Sequence, residues 1–156
     1  MHAFVASYLI AEWSYVLNRH ISDSILYQVE RRIKAMTDKV ILRSDINDLA
    51  DYRQISRALN TLVKQKSLAK IGKGVYAKMR CSLISSNPVL DGAFTVIARE
   101  ALDKLKVKWQ LETAEQEYNQ GKRTQVPAHG RVRLKSRFSR KIAWNGMELQ
   151  YEPTSE

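Results

Sequence analysis

The sequence predicts an α+β fold in two units. A helix–strand–helix–helix–hairpin run comes first, and a small mixed α/β unit closing on a β-hairpin follows. Three observations predict this. Apolar residues recur every three or four positions in several stretches, short β-type runs lie between them, and glycine- or asparagine-centred turns punctuate the runs. The chain has 156 residues, 44% of them apolar, which suits one domain or two small ones in contact. The expected division is a leader at 1–21, a first unit at 22–82, a second at 89–151 and a tail at 152–156.

In the leader, Val5, Leu9, Trp13, Val16 and His20 are spaced by three or four. This is either a docking or dimerisation helix or a weakly ordered leader. Ser22 and Ser24 are good N-caps for a first helix, whose Ile25, Val29, Ile33 and Met36 make one apolar face. Val40, Ile41 and Leu42 form a short strand. Ser44 and Asp45 cap a short second helix to about Ala50, and Asp51 caps a third to about Gln65. Residues 68–71 and 75–78, joined through Gly72, Lys73 and Gly74, read as a β-hairpin. The run Ser85, Ser86, Asn87, Pro88 reads as a link between units.

In the second unit, Phe94, Ile97, Ala101, Leu102 and Leu105 mark an amphipathic helix, and residues 112–119 a more polar one. Val132 and Leu134 alternate with Arg131, Arg133 and Lys135. Asn145 and Gly146 supply the two positive φ values of a type I′ turn between residues 141–144 and 147–151.

Charge narrows the function. There are 26 Lys and Arg against 16 Asp and Glu, a net charge of +10. The excess attracts polyanions, with nucleic acid the first candidate and an anionic membrane the second. It is also clustered. Residues 52–90 hold eight cations and no carboxylate, and residues 118–147 hold another eight and none. The other ten cations face all 16 acids. No basic leader with a cleavage site precedes the apolar run at 3–11, and that run is too short to span a bilayer, so no secretion signal and no membrane partner is expected. Cys81 is the single cysteine, which fits a reducing cytoplasm. His2, His20 and His129 are far apart, no Cys/His cluster has metal-ligand spacing, and no Gly-x-Ser-x-Gly elbow occurs. Gly72-Lys73-Gly74 lacks the other residues of a phosphate-binding loop. We therefore expect no enzyme, no metal and no cofactor.

The order of the first unit is that of a winged helix-turn-helix, in which the third helix enters the major groove and the hairpin touches the flanking backbone. On a helical wheel, Arg57, Asn60 and Lys64 fall within about 40° of Arg53, while Ile55, Ala58 and Leu62 fall on the opposite side. An ordinary solvated face mixes Glu with Lys and gains i,i+4 pairs; this one stacks like charges. Arg and Asn have the shapes that read guanine and adenine edges. The expected DNA-binding set is Arg53, Gln54, Ser56, Arg57, Asn60 and Lys64 on the helix, with Lys70, Lys73 and Lys78 on the hairpin. The second unit adds a basic surface of Lys122, Arg123, Arg131, Arg133, Lys135, Arg137, Arg140 and Lys141. It either adds phosphate contacts or holds an acidic protein partner.

The segment Val40-Ile-Leu-Arg-Ser-Asp-Ile-Asn-Asp-Leu-Ala-Asp-Tyr-Arg-Gln-Ile-Ser-Arg-Ala-Leu59, followed by Leu62-Val-Lys64 and Ile71-Gly-Lys-Gly-Val-Tyr-Ala-Lys78, resembles the N-terminal module of the AbiEi-like antitoxins. Tyr118-Asn-Gln-Gly121, Thr124-Gln-Val-Pro127 and Arg137-Phe-Ser-Arg-Lys141 look like the second domain of that plasmid and phage-defence group. The resemblance implies an antitoxin of a type IV toxin–antitoxin pair. In that family the winged helix represses its own promoter, and the second domain serves in neutralising a nucleotidyltransferase toxin, usually without a stable complex. The Gly-Ser and paired aspartates of such toxins are absent here. The expected function is thus a sequence-specific repressor acting on double-stranded operator or promoter DNA, with a cognate toxin as second partner. The alternative is a protein-interaction module whose basic second unit binds a toxin or nuclease. A homodimer would suit a palindromic site, though nothing in the sequence requires one.

Overall fold

Ser24 starts the first described helix by accepting a hydrogen bond from the Tyr27 backbone N–H at 3.2 Å. The computed structural model describes residues 24–122, 124–125 and 131–152. The leader at 1–21, the alternative cap Ser22, Arg123, His129 and residues 153–156 lie outside the described residues. Helix α1 (Ile25–Ala35) buries Val29 and Ile33, the centre of the face its spacing predicts.

Strand β1 (Val40–Leu42) is buried at all three positions. The expected second helix is instead a 3₁₀ turn, Arg43–Ile46. Asp45 caps this turn from within it. Its carboxylate accepts from the Leu42 backbone N–H at 2.9 Å and from Lys104 Nζ at 2.8 Å, which ties it down at the start of the turn. Asp51 then opens helix α2 (Tyr52–Lys64), accepting from the Gln54 N–H at 2.8 Å. Strands β2 (Leu68–Gly72) and β3 (Val75–Cys81) form the hairpin, with a register shift between Lys70 and Gly72.

The expected link at 85–88 runs into a strand. β4 (Pro88–Leu90) pairs antiparallel with the far end of β3, so the sheet has four strands, with β3 between β1 and β2. Helix α3 (Phe94–Lys104) follows, then β5 (Trp109–Leu111), which the sequence reading did not anticipate, then helix α4 (Thr113–Asn119). β6 (Arg131–Leu134) lies between β5, antiparallel, and β9 (Gln150–Glu152), parallel. β7 (Ala143–Trp144) and β8 (Met147–Glu148) form the small hairpin, with Asn145 at φ 48° and Gly146 at φ 79°. Residues 150–152 belong to the three-stranded sheet, not to the hairpin.

The first sheet is covered on both faces. Ile41, Leu68 and Tyr76 point toward α1 and α2 and join Val29, Ile33, Ile55, Leu59 and Leu62. Val40, Ala69, Ile71, Val75 and Ala77, on the alternate positions, pack with Ile97, Ala101 and Leu102 of α3 and with Val132, Ile142 and Leu149. This second cluster draws on residues from both expected units. Polar bonds cross the same boundary. One Glu100 oxygen accepts from the Lys39 and Val40 N–H groups at 2.9 Å each, and Lys104 reaches Asp38, Asp45 and the Val40 carbonyl. The fold is mixed α+β, with four helices and several sheets among the described residues.

Candidate nucleic-acid interface

Helix α2 is built to present one polar face. Its box of Asp51 and Gln54 fixes the first turn, and Ile55, Ala58, Leu59 and Leu62 are buried against the sheet and α1. Packing on that side leaves Arg53, Arg57, Asn60 and Lys64 exposed on the other. None of the three cations makes an ion pair with a described residue. Arg53 and Arg57 are one turn apart, so the bare helix carries a like-charge repulsion that a polyanion would relieve.

The other two helix residues singled out from the sequence are engaged locally. Gln54 is exposed, but its side chain accepts from the Asp51 N–H at 3.4 Å. Ser56 donates its hydroxyl to the Tyr52 carbonyl at 2.7 Å and accepts from Arg43.

Arg43 and Tyr52 were not singled out by sequence, and the fold brings them together. The Arg43 guanidinium lies 4.1 Å from the centroid of the Tyr52 ring, which is itself 70% exposed. The Arg43 backbone N–H donates to the Gly74 carbonyl at 3.0 Å. One residue therefore connects the first turn of α2 to the turn of the β2–β3 hairpin. The contact spans more than twenty residues, so no local pattern announces it. Beneath it, burial pushes the Tyr76 hydroxyl above its ordinary pKa, against a smaller opposing pull from Arg43.

At the hairpin, Lys70 and Lys73 are exposed, with Lys73 in the turn between Gly72 and Gly74. Gly74 sits at φ 71°, a conformation that favours glycine. Lys78 is different. It is half-buried, and its ammonium donates to the Met36 carbonyl at the end of α1, away from the turn.

The second-unit cations do not make one continuous face. Arg133 pairs with Glu152 at 3.1 Å and donates to Thr113 Oγ1 at 2.9 Å; Lys141 pairs with Glu148 at 2.8 Å. Lys122, Arg131, Lys135, Arg137 and Arg140 are exposed and make no ion pair with a described residue. Among the described residues, no three His, Cys, Asp or Glu side chains cluster as metal ligands, and no helix is long and apolar enough to cross a membrane.

No known protein family, no curated protein and no solved structure matches this chain.

Proposed function

We propose that this chain is a sequence-specific DNA-binding transcriptional regulator. On this reading residues 24–81 act as a winged helix-turn-helix, with α2 as the reading helix and the β2–β3 hairpin as the wing. The reading is of a cytoplasmic, non-enzymatic repressor of its own promoter. Its antitoxin role, directed at a nucleotidyltransferase toxin, rests on the resemblance of the segments quoted above.

One observation carries the DNA reading. Arg53, Arg57, Asn60 and Lys64 form an exposed, carboxylate-free stripe opposite the buried face of a capped helix, with no ion-pair partner for its cations among the described residues. Such a stripe has the donors that pair with phosphates and with guanine and adenine edges in the major groove. Arg43 supports it by linking that helix to the wing turn.

The test is binding to the chain's own upstream duplex against random duplex over a salt series. Affinity is expected to fall steeply with salt and to favour the upstream sequence. Arg57→Ala is expected to cost about 1–3 kcal/mol on the specific site and to relax its preference. Lys73→Ala is expected to weaken binding to both duplexes alike. Equal binding of wild type to the two duplexes refutes the repressor.

A protein-interaction role has its own support in Leu83 and Ile84, which are 95% and 98% exposed between β3 and β4. Substituting both with Ser and repeating a pull-down from cells decides it; an unchanged set of captured proteins removes this reading.

A further inference from the structure

The loop between β6 and β7, residues 135–141, lies beside the wing. A Cβ built on Gly72 would sit 3.1 Å from the Lys141 carbonyl oxygen, so the two backbones touch at the end of β2. From there β7 runs on beside β2. Lys70 and Lys141 line one shallow groove of about 400 Å³ together with Trp144 and Asn145. Lys141, at the end of that loop, thus touches Gly72, and Arg43 joins the Gly72–Lys73–Gly74 turn to the first turn of α2.

The loop is also held in shape. Phe138 packs edge-on against Tyr151, with ring centroids 5.8 Å apart, and the Tyr151 hydroxyl donates to the Arg140 carbonyl at 2.8 Å. These contacts fix the backbone while leaving Arg137 and Arg140 exposed and without an ion-pair partner among the described residues. Glu148, by contrast, is paired with Lys141 at 2.8 Å. An anchored loop with two guanidiniums unpaired among the described residues, joined at Lys141 to the glycine-flanked lysine hairpin, has the features of a phosphate-contacting element.

We propose that residues 135–141 form a second wing that grips the backbone of duplex DNA, with Arg137 and Arg140 as the contacting residues and Tyr151 as the positioning residue. The proposal rests on the DNA reading above. It assigns part of the second unit's basic surface to DNA and not to an acidic protein.

The full-length chain tests it, with upstream and random duplexes over a salt series. In the double variant Arg137→Ala/Arg140→Ala, affinity is expected to fall roughly tenfold on both duplexes. The slope of log K against log salt should flatten by about 1.8, the share of two phosphate contacts. Preference between the duplexes should stay as in wild type. Tyr151→Phe keeps every charge, so its slope should flatten by less than in the double variant, with thermal unfolding measured in parallel. Wild-type binding and slope in the double variant overturn the proposal and leave the loop to an acidic protein partner. If Lys122→Ala flattens the slope as much per charge removed, the effect is one of net charge, and the second wing is equally overturned. If wild type binds no duplex at all, the DNA reading itself fails, an outcome distinct from both.

Discussion

At the scale of single residues, the residues with exposed and unengaged side chains differ from those that composition alone points to. Arg53, Arg57, Asn60, Lys64, Lys70 and Lys73 are exposed and unpaired among the described residues, whereas Lys78, Arg133 and Lys141 satisfy a carbonyl or a carboxylate. The distinction follows from reach. Lys78 on β3 reaches the carbonyl that ends α1, and Arg133 and Lys141 each have a carboxylate within pairing distance. Tyr151 shows the same logic for an uncharged group. Burial, and secondarily the Glu148 carboxylate, push its hydroxyl up to about 12. Below the ordinary tyrosine pKa near 10, folded and unfolded chains both hold the proton, and the contribution is complete. Above it the unfolded chain ionises first, so stability falls between about pH 10 and pH 12. Denaturant titrations at stepped pH are expected to show that loss, and Tyr151→Phe to shrink it. An identical alkaline decline in the variant argues against a buried Tyr151 hydroxyl.

At the scale of elements, α2 matches its sequence prediction closely and the segment before it does not. The wheel separates Ile55, Ala58 and Leu62 from the Arg stripe, and burial in the structure follows that division. Helix periodicity is a local property, so it is legible without the fold. Asp51 is its start signal. Asp51→Ala is expected to destabilise the protein by about 1 kcal/mol, read as a lower denaturation midpoint with an unchanged slope. Retention of the wild-type midpoint counts against the cap. The Arg43–Ile46 turn was expected as a helix because Ser44 and Asp45 are good caps. Asp45 does cap the Leu42 N–H, and Lys104, some sixty residues away, donates to the same oxygen. The same ammonium is pulled down by burial, but Asp45 and Asp38 more than offset this and raise its pKa. β4 and β5 were missed for a related reason. Each is a three-residue strand whose pairing partner, β3 or β6, supplies the order that so short a run cannot.

At the scale of the whole molecule, the two expected units share a core. One face of the first sheet, through Val40, Ala69, Ile71, Val75 and Ala77, is covered by α3 and by Val132, Ile142 and Leu149. A fragment of residues 24–82 would bare that face to water. It is expected to lose cooperative unfolding and to bind a hydrophobic dye, while the full chain unfolds in one transition. A sharp, cooperative transition in the fragment alone would overturn this. The apolar run at 40–42 reads from sequence as a short strand, and the structure buries all three of its residues. What covers the second side is invisible in the run itself. The sequence by itself determined the helix faces, the caps, the glycine turns and the two acid-free basic blocks, because each depends on neighbours within a few positions. Only the tertiary structure decided which cations stay unpaired among the described residues, that Arg43 links α2 to the β2–β3 turn, and that Lys141 lies against Gly72. Those outcomes depend on contacts between residues tens of positions apart, where packing and electrostatic competition act and local pattern does not.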